Sequence, residues 1–195
     1  MRNSALALFA AITLAASLAH AQEWYAGFGA GQGKIDGYPL PVQSSADSSG
    51  GTLTSFSYSP LTGNDTMFTA RLGARLHRNL AIEAGYFRFG DYTYYSVPVT
   101  GGGITQFTAR ARSGGAALVG LLPVGQLDLY ARAGYARTEV KSEEGVVTGS
   151  AKFNEAYYGA GARWNITREA GLFAEYQRHD KLELDGYFVG LDWRF

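Results

Sequence analysis

The chain has 195 residues, and its 17 basic and 17 acidic side chains give a formal net charge of zero with neutral histidines. The balanced charge argues against a nucleic-acid-binding protein, and the lack of cysteine excludes disulfides, thiolate metal sites and a cysteine nucleophile. Glycine accounts for 26 residues and tyrosine for 13, whereas glycine makes up about 7% of an average soluble domain.

Residues 1–21 have the pattern of a secretory signal peptide. Arg2 precedes an apolar stretch from Ala5 to Leu18, which ends at the small-residue sequence AHA. The apolar stretch is short for a membrane-spanning helix, which favours cleavage over a permanent anchor. We therefore expect the mature domain to comprise residues 22–195.

The first predicted strand, EWYAGFGAGQGK at 23–34, has glycine at every second position. A phosphate-binding loop would need glycine at position 28, and a dinucleotide-binding motif would need it at 32 or 34. Phe28, Gln32 and Lys34 occupy those positions. The alternation instead indicates a strand with one apolar face and one glycine face.

Alternation and turn residues predict eight strands along the chain. They cover about 23–34, 67–77, 80–91, 104–120, 126–139, 153–165, 170–181 and 186–195. Connections after the second, fourth and sixth strands are short, whereas those after the first, third and fifth are long; the last, near 182–185, is short. Such a plan is typical of an outer-membrane barrel, and a soluble eight-stranded barrel of the lipocalin type is the alternative.

The two faces of each strand indicate which side meets lipid. One face is apolar, with aromatic residues near both ends, as in a lipid-facing surface. The other face combines charges with glycines, which make room in a narrow lumen. We predict an all-β, eight-stranded antiparallel up-and-down transmembrane β-barrel whose lumen is plugged by Arg–carboxylate pairs, with a narrow gated pore as the alternative. The predicted lumen charges are Arg71, Arg75, Glu83, Arg110, Arg112, Asp128, Arg132, Glu155, Arg163, Glu175, Asp192 and Arg194.

The stretches WYAGFGAGQGK, LAIEAGYFRFGDY and YFVGLDWRF resemble the small bacterial outer-membrane β-barrel proteins of the OmpA/OmpX type. The resemblance covers the mature region, and it implies an outer-membrane location and an internal ionic lock. It also implies that the last strand is the signal read by the barrel-assembly machinery. The residues that fit this signal are Tyr187, Val189, Leu191, Trp193 and Phe195.

No catalytic, cofactor-binding or metal site is predicted. The mature histidines, His77 and His179, lie at opposite ends of the barrel and cannot share an ion. His179 can pair with Glu175, but Ser113 is predicted to face lipid, so no triad forms. A lipid A-modifying enzyme remains an alternative function.

Surface contacts provide the remaining predictions. Lys34, Arg88, Arg137 and Arg178 lie outward at the extracellular strand ends, where they are expected to meet lipopolysaccharide phosphates. The long first loop, rich in serine and glycine, is interpreted either as an adhesive surface that binds a host ligand or as a passive exposed loop. The function expected is structural or in cell-surface interaction.

Overall fold

A computed structural model describes residues 23–38, 56–58, 61–98, 105–142 and 149–195. The predicted signal peptide, residues 1–21, and most of the long first loop lie outside this part of the chain. No helix in the described ranges is long and apolar enough to cross a membrane.

Nine antiparallel strands form one sheet. They are β1 (Glu23–Tyr38), β2 (Phe56–Tyr58), β3 (Leu61–His77), β4 (Leu80–Pro98), β5 (Thr105–Val124), β6 (Leu127–Ser142), β7 (Gly149–Asn165), β8 (Ala170–His179) and β9 (Leu184–Arg194). Strand β1 pairs with both β3 and β9, and β4 pairs with β5, so the eight long strands close into a barrel. The short β2 pairs with the end of β4. The predicted eight-stranded barrel is confirmed.

Several strands are longer than the sequence predicts. Strand β3 begins at Leu61 rather than near 67, and β4 continues to Pro98. The predicted turn at 121–125 is wrong, because β5 runs to Val124 and only residues 125–126 form the turn. Gly125 has a φ of 63°, a left-handed conformation that suits the residue in a two-residue hairpin turn.

The outer face of the barrel is apolar over its central part. Phe28, Leu118, Val189 and Leu191 are each 59–67% exposed, an arrangement that favours hydrocarbon over water as the surrounding medium. From Leu127 to Tyr135, the outward residues of β6 span roughly 26 Å along the strand, or about 20 Å along the membrane normal at a usual tilt. This height fits the apolar band of a membrane barrel.

The lumen is filled in layers of different character. Charged side chains occupy its middle and its periplasmic end, whereas the extracellular half is largely apolar. That half is formed by buried residues including Ile35, Met67, Phe87, Phe89, Tyr157, Leu182 and Leu184. Charges and glycines mark the inward face in the sequence, and they do not reveal this apolar layer.

Glycines on the inner face make space for large neighbours. A Cβ atom at Gly73 would overlap the ring of Tyr25, and one at Gly134 would overlap Tyr157. Both tyrosine rings are buried. The inward glycines therefore leave the space that the large side chains of the lumen occupy.

We expect Gly73→Ala to destabilise the barrel by about 1–3 kcal/mol, because the added methyl group displaces Tyr25 from a packed position. The control is Gly120→Ala on the outer face, where the nearest atom to the new Cβ is 4.0 Å away. It should change stability by less than about 0.5 kcal/mol. Urea unfolding in lipid vesicles measures both, and equal effects would contradict the steric explanation.

Candidate functional site

Six long strands each place one charged side chain in the middle of the lumen. We call these residues the central network: Arg71 on β3, Glu83 on β4, Arg132 on β6, Arg163 on β7, Glu175 on β8 and Asp192 on β9. Every one is at most 6% exposed. Three guanidinium groups face three carboxylates, so the network is balanced in charge.

Register explains how these bulky groups fit into a narrow lumen. Arg71 lies between Gly27 and Gly85 on the neighbouring strands, and Asp192 lies between Gly27 and Gly171. The same relation holds elsewhere, since Glu83 lies opposite Gly73, Arg132 opposite Gly159 and Glu175 opposite Gly161. A long charged side chain thus extends over the space that a glycine leaves.

Arg71 and Arg163 converge on one carboxylate. Arg71 Nη2 is 3.0 Å from Asp192 Oδ2, and Arg163 Nε donates to the same oxygen at 2.5 Å. Arg71 also donates from Nη1 to Glu175 Oε2 at 2.9 Å. The Arg71 guanidinium lies 3.8 Å from the ring centroid of Phe173, so its open face is covered by an aromatic ring.

Arg132 joins Glu175 to Glu83, the third carboxylate of the network. Its Nη1 lies 3.0 Å from Glu83 and its Nη2 lies 2.9 Å from Glu175, although these atoms are not all aligned as hydrogen bonds. Tyr25 Oη donates to Glu83 at 2.5 Å, and Tyr130 Oη donates to Glu175 at 2.7 Å. The network therefore connects across the whole lumen, as buried charges require.

A second cluster of charged side chains lies at the periplasmic end of the lumen. Arg75 is 3.2 Å from Asp128 and 3.3 Å from Glu23, and Arg194 is 3.3 Å from Asp128. The predicted lumen residues Arg75, Asp128 and Arg194 thus form a separate, partly exposed layer. Glu23 is a member that sequence analysis missed, because it stands at the first residue of β1.

Arg110 and Arg112 do not face the lumen, so that part of the prediction is wrong. Both are about half exposed on the outer wall, where Arg110 lies 3.0 Å from Asp91 and Arg112 lies 2.5 Å from Glu139. The inward face of β5 is formed by small and apolar residues such as Ala111. Since the central network is already balanced, it offers an inward arginine here no further carboxylate.

Ser113 faces the lumen, contrary to the prediction that it faces lipid. It is 2% exposed, and Thr138 Oγ1 donates to its Oγ at 2.9 Å. Thr138 also donates to Glu155, whose Oε1 lies 3.1 Å from His179 Nδ1. His179 thus pairs with Glu155 and not with Glu175. Among the hydrogen bonds of the described residues, none joins Ser113 to His179.

Glu155 connects the barrel wall to the extracellular turn between β8 and β9. The backbone N–H of Leu182 in this turn donates to Glu155 Oε2 at 3.2 Å, and the Leu182 side chain is fully buried among the apolar lumen residues. Lys181, the preceding residue, is exposed. Glu155 therefore holds the turn across the lumen with hydrogen bonds from three separate segments.

The residues predicted to meet lipopolysaccharide lie outside the apolar band, on two different walls. Arg88 and Arg137 are exposed on β4 and β6. Arg178 lies 3.1 Å from Asp185 on the other side of the barrel, and Lys34 lies directly opposite Asp185 in the β1–β9 register. The four residues therefore do not form one site.

The last strand presents the predicted assembly signal on the outer face. Each of the five residues of the signal is 54–71% exposed. They are Tyr187, Val189, Leu191, Trp193 and Phe195. Among the described residues there is no group of three or more acidic, histidine or cysteine side chains placed to hold a metal ion.

Residues 4–195 match the family described as outer membrane protein beta-barrel domain. The chain belongs to this family. The match spans nearly the whole sequence, and together with the closed eight-stranded fold it gives the protein a bacterial outer-membrane location. A search of curated proteins gave no significant match.

Solved outer-membrane barrels have the same fold. Ail of Yersinia pestis, in complex with the heparin analogue sucrose octasulfate, has 15% identity and a TM-score of 0.55, covering 89% of this chain and 98% of that one. The N-terminal barrel of Pseudomonas aeruginosa OprF has 12% identity and a TM-score of 0.57, covering 90% and 99%. Neisserial surface protein A has 14% identity and a TM-score of 0.57, covering 88% and 95%. At these identities the likeness concerns the fold.

We expect Glu155→Gln to free the β8–β9 turn, because an amide accepts weaker hydrogen bonds than a carboxylate by about 1–2 kcal/mol. Trypsin cleavage after Lys181 in the folded, detergent-solubilised barrel should then accelerate on the order of 10-fold. Glu183→Gln removes the same charge from an exposed position of the same turn and should leave the rate unchanged. Equal rates for all three proteins would show that Glu155 does not hold the turn.

Proposed function

We propose that this protein is a structural outer-membrane barrel whose lumen is closed to ions. The observation that carries the proposal is the central network, which joins six strands with balanced, buried charges. Above it lies the apolar half of the lumen, and below it lies the periplasmic charged layer. An ion would have to pass all three layers in turn.

Energetics favour the closed state. Removing one member of a buried ion pair costs about 3–5 kcal/mol, because the remaining charge keeps its desolvation penalty. Arg71 and Arg132 each bind two carboxylates, so displacing either one disrupts two contacts. An eight-stranded lumen also leaves little free volume beside its side chains. We therefore favour a solid polar core over the gated pore.

The lumen groups also favour a non-enzymatic role. Ser113, Glu155 and His179 are the nearest arrangement to a hydrolase triad, yet each is at most 2% exposed. The hydroxyl of Ser113 lies next to Thr138 rather than next to a base. A nucleophile needs both a base within reach and access for the substrate.

The outer strands fit the partners expected in this membrane. The exposed alternation of β9 suits recognition by the barrel-assembly machinery, and the apolar band suits membrane lipid. Exposed cations beyond the band suit lipopolysaccharide, whose phosphates bind guanidinium groups well. These contacts would serve to insert and anchor the barrel.

Purified protein in planar bilayers should show no conductance above leak. Glu83→Ala combined with Arg132→Ala removes an ion pair from the lumen and should produce measurable channel events. The matched control, Arg112→Ala with Glu139→Ala, removes an ion pair from the outer wall and should stay at leak. Folding of each variant is checked by heat-modifiable gel migration. Conductance of the unmodified barrel well above leak would contradict the closed lumen.

A second proposed role is binding of a surface or host ligand through the extracellular loops. The fold shared with Ail supports this role, since Ail was solved with a heparin analogue. Replacing residues 39–55 with a short glycine–serine linker should reduce adhesion of expressing cells to host cells or to immobilised heparin several-fold. Unchanged adhesion at equal surface expression would contradict the ligand-binding role, and only the structural role would then stand.

A further inference from the structure

The outer wall of β4–β7 concentrates positive charge just beyond the apolar band. We call it the cationic wall. Its exposed basic residues are Arg88, Arg110, Arg112, Arg137, Lys141 and Lys152. Among the described residues of this wall, only Asp91 and Glu139 carry the opposite charge outward. The wall therefore has an excess of four positive charges.

Strand register places like charges directly against each other. Arg88 is opposite Arg112 in the β4–β5 pair, and Arg110 is opposite Lys141 in the β5–β6 pair. Side chains in such positions have Cβ atoms about 4.5–5.5 Å apart, and like charges there destabilise the sheet. Two adjacent pairs of like charge make this part of the wall a favourable place for an anion.

The two carboxylates of the wall do not neutralise it. Glu139 is shared between Arg112 at 2.5 Å and Lys152 at 3.3 Å, and Asp91 pairs with Arg110 at 3.0 Å. Within the described part of the chain, no ion pair involves Arg88, Arg137 or Lys141. These three cations are available to an external ligand.

The wall lies at the height of lipid headgroups. Arg88 stands two residues beyond the exposed Tyr86 on the same face of β4, and Arg137 stands two beyond Tyr135 on β6. Two residues of a strand span roughly 6.6 Å. Because tyrosines of such barrels mark the membrane interface, the cations point sideways into the headgroup layer. A cleft of about 300 Å³ between Tyr86 and Lys141 holds part of this surface.

The opposite wall lacks this excess. Arg178 is held by Asp185 at 3.1 Å, and Lys34 is the direct cross-strand neighbour of the same aspartate. Tyr176 also donates a hydrogen bond to Asp185. The asymmetry separates a wall whose charges are nearly balanced from one with an excess of cations, and it provides a matched control.

We infer that the cationic wall binds the two phosphate groups of lipid A in the outer leaflet. Arg88 and Arg112 share one phosphate, and Arg110 and Lys141 share the other. Each phosphate converts a repulsive pair into charge-assisted hydrogen bonds, which guanidinium groups form with particular geometric fit. This inference rests on the proposed lipopolysaccharide contact, narrows it to one wall, and adds Arg110 and Arg112 to it.

Binding to barrels in lipid nanodiscs tests the assignment. Bisphosphorylated lipid A should bind the unmodified protein at least 10-fold more tightly than the same lipid without phosphates. Arg88→Gln with Arg112→Gln should remove most of this preference. Lys34→Gln with Arg178→Gln, on the paired wall, should change affinity less than 2-fold.

The urea midpoint of unfolding distinguishes phosphate binding by these arginines from a purely structural role. In phosphate-free vesicles the Arg88→Gln, Arg112→Gln variant should have a urea midpoint equal to or above that of the unmodified barrel, because repulsion is removed. Lipid A should raise the midpoint of the unmodified barrel but not that of the variant.

Three results would overturn the inference. They are equal binding of phosphate-free lipid A, equal loss of binding in the two double variants, and full displacement of lipid A by a sulfated oligosaccharide, which would make the wall a glycan site. Conductance does not depend on the cationic wall. A failure of the lipid A inference would therefore leave the proposal of a closed lumen unaffected.

Discussion

Closure of eight strands around a narrow lumen is the constraint on which the other features depend. Lipid outside requires an apolar outer face, and the space inside is only just enough for side chains. Any charge placed inside must therefore find both a partner and free volume. Arg71 meets both requirements, because it binds Asp192 and Glu175 and lies between two glycines of the neighbouring strands.

The same constraint divides the lumen along its length. At mid-height, balanced charges connect six strands, so the loss of any one of them leaves a buried charge without its partner. Toward the outside, aromatic and aliphatic residues replace the charges, and the Glu155 carboxylate within them holds the β8–β9 turn. Different interactions thus fill each layer of the lumen: desolvated ion pairs in the middle, and apolar packing with a few directed hydrogen bonds above.

The sequence predicts the orientation of a strand well where its two faces differ clearly in polarity. In β3 and β9 one face is apolar and the other charged, so alternation was sufficient to orient both strands. Strand β5 reads TARARSGGAALVG, with small residues on both faces, so only the rule that charges face the lumen orients its arginines, and that rule fails here. Cross-strand relations such as Glu83 opposite Gly73, or His179 beside Glu155, depend on register and tilt, which a single sequence does not encode locally.

The outward positions of Arg110 and Arg112 relate the charge balance of the lumen to the charge of the outer wall. With three guanidinium groups already matched by three carboxylates, an inward Arg110 or Arg112 would add a buried charge that the central network does not match, at a cost of several kcal/mol. Their outward position avoids that penalty but sets them beside Arg88 and Lys141. Asp91 and Glu139 offset part of the resulting repulsion, and the lipid A phosphates inferred above would offset more of it. A balanced lumen therefore goes together with a positively charged outer wall, which is the surface from which lipid A binding is inferred.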